Sequence, residues 1–338
     1  MSKYSYCLNV LFDLPDDRLL YSGPSFYRKN LIDQLEIREN CIKLFFKRGK
    51  EYTINECLYV STAPTHFEIQ RALTFYLAVM GSIPEVKRIS LARGEEEQVL
   101  DDMSYTTHWN NCKIQITYEA EVAAEIFTEN GRWPYIVMTY FLKSQLAPFS
   151  LDQFHAAWSC VNAYYNKYSK LEKEREKKKI SKLDSEIRNS KLPMTEQKMK
   201  ELEKTDFWNR LQWFNYVKRY RNAENDEKSD MNNWLYRDDR VSDKQLFERL
   251  TKYIPNPDFS KAQQEEFVAR KMKRYKRRYN VQAAWLICEY CYMLRNRGFH
   301  ADKPFPLFSL SDIGESKSIE TILSEIILLT VYELMKLS

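Results

Sequence analysis

Residues 283–300 read AAWLICEYCYMLRNRGFH, and this stretch decides how the second half of the chain is built. Ala283, Ala284, Leu286, Ile287, Tyr290, Met293 and Leu294 recur at three- and four-residue spacing, as one buried helical face requires. Arg295 and Asn296 close the run, and Gly298 reads as the helix stop before Phe299 and His300. Positions five apart on an unbroken helix lie about 140° around its axis, so Arg295 and His300 would diverge. A turn at Gly298 lets the chain bring them to one cleft. An arginine, an adjacent amide and a histidine so close together form a compact set for chemistry on a phosphodiester. A plainer reading makes Arg295 a cation favoured by the dipole of a last helical turn.

Immediately upstream, residues 270–278 read RKMKRYKRR, seven basic residues in nine. Arg270, Lys271, Lys273, Arg274, Arg277 and Arg278 offer a phosphate-contacting track, with Tyr275 and Tyr279 able to stack on bases. Further back, residues 151–170 place Phe154, Trp158, Val161, Tyr164, Tyr165 and Tyr168 on one helical face. Residues 171–205 are dominated by Lys and Glu, with Ile180, Leu183, Ile187 and Leu202 at wide intervals, and predict a partly helical exposed arm. Helices are also expected near residues 207–217 and 242–253, the second ended by Pro255 and Pro257.

The pattern of arginine, four residues and histidine, with Asn296 directly after the arginine, resembles the signature of the HEPN superfamily of helical ribonuclease domains. Residues 154–165, FHAAWSCVNAYY, resemble that family's first helix. Residues 319–337 resemble its closing helix, which follows the motif after a polar, Pro-containing loop. The resemblance covers residues 151–338, with the charged insertion at about 171–205 inside it. It implies a metal-independent endoribonuclease in which the ribose 2′-hydroxyl attacks the adjacent phosphate and leaves a 2′,3′-cyclic phosphate. No metal and no cofactor enter such a reaction. His300, with an ordinary pKa near 6.5, would exchange a proton with the 2′-hydroxyl or the leaving oxygen. Arg295 would hold the phosphate, and Asn296 would bond a phosphate oxygen or fix the imidazole tautomer. One arginine and one histidine are too few for both an acid and a base, so the resemblance implies a homodimer. In relatives modified by a partner nucleotidyltransferase a tyrosine stands two residues after the histidine. Asp302 stands there in this chain, which speaks against that form of regulation.

Residues 1–148 carry no such resemblance. Short runs rich in Tyr, Ile, Val, Leu and Phe at 4–12, 41–46, 57–61, 86–91 and 112–118 read as strands. Residues 66–80 read as a helix capped by Thr65. Residues 121–146 read as a helix broken near Gly131 and Pro134. The acidic run 94–102 reads as a solvated loop. His66 and His108 have no second ligand at metal-binding spacing, so both read as structural.

Composition narrows the classes. The chain has 338 residues, enough for two domains, and only 7 glycines, and it contains neither GxGxxG nor GxxxxGK[ST], so the usual nucleotide folds are disfavoured. Its 7 cysteines are scattered and odd in number, which suits a reducing compartment. Cys288 and Cys291 form a CxxC inside a helical run and read as buried thiols. No segment is apolar enough for a membrane span, and a cytoplasmic location is the expectation. The formal charge of +5 argues little about nucleic acid; its distribution argues more.

The sequence therefore predicts an α+β chain. A small N-terminal α+β domain of sensing or regulatory role (1–148) precedes an all-α, HEPN-like helical bundle (149–338). The expected function is an RNA-cleaving toxin or anti-phage defence effector, with RNA and a second copy as partners and an antitoxin or regulator as a further one. The alternatives are a non-catalytic RNA-binding or dimeric scaffold protein, and a structural protein whose charged arm recruits another chain.

Overall fold

The computed structural model describes residues 4–28, 31–101, 104–168, 176–205, 207–211, 279–292, 294–295 and 317–337. The protein is α+β, with an antiparallel sheet in its N-terminal part and helices thereafter. Two compact units divide it: Met1–Pro148 with His155–Lys170, and Phe149–Phe154 with Leu171–Ser338. The boundary expected from the sequence puts all of 149–338 in the second domain. The packing instead groups residues 155–170 with the first unit.

In the first unit six strands run in the order β2-β3-β4-β1-β5-β6. They are β1 (Tyr4–Phe12), β2 (Leu19–Arg28), β3 (Leu31–Arg38), β4 (Cys41–Arg48), β5 (Val86–Arg93) and β6 (Glu96–Val99). Period-two alternation fixes which face is inside. Leu35, Leu44, Leu8 and Leu91 are cross-strand partners in one row, and Ile37, Ile42, Val10 and Ile89 in the next; all eight are buried. Helix α2 (Pro64–Met80) covers this face, with Tyr76 4.7 Å from Phe12 and Phe75 5.9 Å from Tyr21 between ring centres. Both edges are protected. β2 carries Pro24, which lacks the N–H a central strand needs, and β6 is short, exposed and acidic.

Four expectations are corrected here. Residues 57–61 are not a strand but belong mostly to helix α1 (Ile54–Tyr59), because Thr53 and Glu56 close a capping box, the Thr53 amide donating to Glu56 Oε2 at 2.9 Å and Thr53 Oγ1 accepting from the Glu56 amide at 3.2 Å. Residues 112–118 form no strand beyond one bridge between Ser82 and Lys113. Residues 94–99 are the turn and second strand of a hairpin rather than a loop, Gly94 turning at φ +60° to bring β6 against β5. Thr65 also caps nothing: α2 begins at Pro64, and Thr65 is buried within its first turn. The short helices α3 (Thr107–Asn110) and α4 (Ala120–Ala123) lead to α5 (Arg132–Leu146) and α6 (Ser150–Tyr168). The break expected near Gly131 is present. A Cβ there would stand 2.1 Å from the Ile126 carbonyl oxygen, so only glycine fits.

The second unit contains α7 (Glu176–Asn189), α8 (Pro193–Leu202), α9 (Phe207–Arg210), α10 (Tyr279–Trp285) and α11 (Ile319–Leu337). The exposed arm expected at 171–205 is not an arm over its described part. Ile180, Leu183, Ile187, Leu192, Met199 and Leu202 are all buried, because the few apolar residues fall at helical spacing and make one narrow stripe. Helix α8 begins without a side-chain cap of its own. The Glu333 carboxylate of α11 accepts from the amides of Met194 (2.7 Å) and Thr195 (2.9 Å) and from Thr195 Oγ1 (2.7 Å), acting as the missing cap from across the chain. Ser318 Oγ caps α11 by accepting from the Thr321 amide at 3.1 Å. Among the described residues, no helix is long and apolar enough to cross a membrane.

Candidate functional site

The motif helix is α10, which packs against α7 and α8, and its continuation packs against α7 and α11. Gln282 through Cys288, with Tyr290 and Cys291, are buried on every side, the mark of a helix at the centre of a bundle. It is not a plain α-helix. Leu286–Cys291 is a π-helical turn, which takes up more residues per turn and so re-aims everything after it. Arg295 lies four residues beyond the end of that turn.

Arg295 is the last described residue of this helix. Its Nη1 stands 3.4 Å from Oε1 of Glu176 in the first turn of α7, and the two side chains are 20% and 35% exposed. Sequence reasoning missed Glu176, and no local signal could have found it, since it comes from the charged segment read as an arm. Chemically the pair is a guanidinium held ready beside a carboxylate at the rim of the bundle. A pair this long and partly open to solvent is weaker than a fully enclosed one.

Asn296, His300, Asp302 and the basic track Arg270, Lys271, Lys273, Arg274, Arg277 and Arg278 lie outside the described residues. The structure thus places one member of the predicted catalytic set. Tyr279 opens α10 and donates to Glu203 at 3.1 Å. Cys288 and Cys291 are both fully buried free thiols, pushed up in pKa by burial, which makes them poor nucleophiles and poor metal ligands. Among the described residues no group of three or more His, Cys, Asp or Glu side chains is arranged to hold a metal ion.

The first unit holds a different set of charges. Arg48 grips Asp33 through two bonds, Nη1 to Oδ1 at 2.8 Å and Nη2 to Oδ2 at 2.6 Å, with both side chains buried. Beside it Arg71 donates from Nη1 to Glu68 at 2.9 Å and to the Phe26 carbonyl at 3.0 Å, and Ser25 donates to the other Glu68 oxygen. Burial raises the Glu68 carboxyl despite Arg71 and Ser25, which pull it down. The Arg71 guanidinium also lies 5.6 Å and 5.5 Å from the ring centres of Phe67 and Phe127. Two positive and two negative groups are enclosed between α2 and β2–β4. They are matched charges holding helix to sheet.

Compared with models of protein families, with curated proteins and with solved structures, the chain matches none.

Proposed function

We propose that the chain is a metal-independent endoribonuclease of HEPN type, its helical bundle lying within residues 149–338. Arg295 holds the scissile phosphate and His300 exchanges the proton with the 2′-hydroxyl or the leaving 5′-oxygen. Asn296 bonds the phosphate or fixes the imidazole, and a second copy supplies the second acid–base group. The 270–278 track leads RNA to the site. One observation carries the reading: the motif arginine ends the described part of the buried helix, 20% exposed and 3.4 Å from the Glu176 carboxylate. A helix-ending cation with no further role would have no need of a π turn to aim it. The defence or toxin role follows from RNA cleavage as an activity a cell must restrain.

The test is cleavage of single-stranded and structured RNA by the purified chain in EDTA, with the new ends identified chemically. The reading expects 2′,3′-cyclic phosphates and no cleavage by His300→Ala. RNA binding without cleavage would replace it with the scaffold reading.

A further inference from the structure

On the face of the sheet turned away from α2, β3 and β4 expose a specific set of side chains. Alternation along β4 puts Lys43, Phe45 and Lys47 on that face in succession, with Leu44 and Phe46 turned inward and buried. Phe45 is 41% exposed at the middle of this strand, and its cross-strand partners are Gln34 on β3 and Cys7 on β1. Gln34 is exposed, so a carboxamide stands beside the ring. Near the β2–β3 edge the same face carries Ile32, 50% exposed, and its partner Phe26. An aromatic ring left bare on a central strand is unusual, since such a ring ordinarily buries its face in a core.

The charge beside the ring has a sign. Arg38 at 2.8 Å and Lys43 at 3.5 Å share the one Glu36 carboxylate, and Asp17 is 3.5 Å from Arg38. Lys47 adds a third cation on the far side of Phe45. Three cations thus meet two carboxylates, and the surplus positive charge lies along the strand that carries the exposed ring. A flat aromatic flanked by cations along a strand suits a chain of planar bases joined by phosphates. The bases stack on the ring whatever their identity, the phosphates meet the lysines, and a neighbouring amide bonds a base edge. An apolar protein partner would favour a face without the lysines. A purely electrostatic one would have no need of the phenylalanine.

We infer that this face of the first unit is a docking surface for single-stranded RNA, with Phe45 as the stacking platform and Lys43 and Lys47 as its phosphate contacts. The choice of RNA as partner rests on the ribonuclease reading, and the surface gives the N-terminal unit a role in selecting unpaired substrate. The test is fluorescence anisotropy of a labelled single-stranded RNA with the full chain in EDTA, on an Arg295→Ala background so that binding is read without cleavage. Cleavage by the otherwise unaltered chain is scored separately, so either claim can fail alone. Phe45→Ala should weaken binding by about fivefold or more, the loss of one base stack, and Phe45→Trp should retain it. Lys47→Ala should weaken it by a smaller factor and reduce the salt slope by about one. Because Phe45 is exposed, its unfolding midpoint should not move. Unchanged affinity in both Phe45→Ala and Lys47→Ala would overturn the inference. So would a Phe45→Ala change in sedimenting mass with RNA affinity intact, which would assign the face to a protein.

Discussion

Arg48 and Arg295 each face a carboxylate, and the contrast between them separates two uses of the same pairing. Arg48 meets Asp33 through a two-bond fork at 2.6–2.8 Å, with the side chains 8% and 1% exposed. Arg295 meets Glu176 at 3.4 Å, with the side chains 20% and 35% exposed. In the first case water is excluded, so removing one partner strands a charge in a low-dielectric interior. In the second, the pair is longer and partly open to solvent, so screening weakens it more. The buried fork is architecture. The rim pair is the guanidinium to which the proposed ribonuclease reading assigns the phosphate.

The contrast can be broken by mutation. Arg48→Met should cost ~3–5 kcal/mol in denaturant unfolding, because Asp33 is left buried and alone, and adding Asp33→Leu should restore much of that loss. A single variant as stable as the parent would show that burial does not set the value of the pair. Next in size, Gly131→Ala should cost ~2–3 kcal/mol, since its methyl group collides with the backbone carbonyl of Ile126; an unmoved thermal midpoint would contradict the packing there. Glu333→Gln should cost ~1–2 kcal/mol by weakening the cap on α8, read in the same unfolding assay.

A pH effect should be smaller. Burial pushes the Glu325 carboxyl up, but Lys198 and Lys317 outweigh it and hold the folded group below the ordinary 4.5. A depressed carboxyl stabilises above its unfolded pKa, and that stability is lost as pH falls through the folded value. The parent should therefore be more stable than Glu325→Gln by a constant margin above about pH 5 and lose that margin as pH falls below it, and curves that remain parallel through the acid range would remove this group from the acid response. Smallest of all, Arg295→Ala should change stability by no more than ~1 kcal/mol.

The sequence made one kind of information legible and hid another. β1 was readable to the residue because Tyr6, Leu8, Val10 and Phe12 alternate without interruption. Helix α11 was readable because a long apolar run holds one period. β2 and β3 were not, since Gly23 and Pro24 break the one and the other buries Asp33 among its apolar positions. Buried charge looks like surface until its partner is known, and Arg48 and Arg71 declare themselves only in three dimensions. The same limit hid α7 and α8, where a stripe of few apolar residues lies among lysines and glutamates, and it hid Glu176 and Glu333, whose partners lie far along the chain. The motif itself was legible as a string, while the π turn that precedes Arg295 was not, because i→i+5 bonding leaves no mark in spacing over six residues.

The central claim is that Arg295 is placed for a ligand and not for the fold. The most direct test measures, on one preparation of Arg295→Ala, both the free energy of unfolding and the rate of RNA cleavage against the parent chain. The account predicts an unfolding free energy within ~1 kcal/mol of the parent and a cleavage rate lower by about a hundredfold or more. Cleavage at the parental rate, or loss of the fold together with the activity, would contradict it.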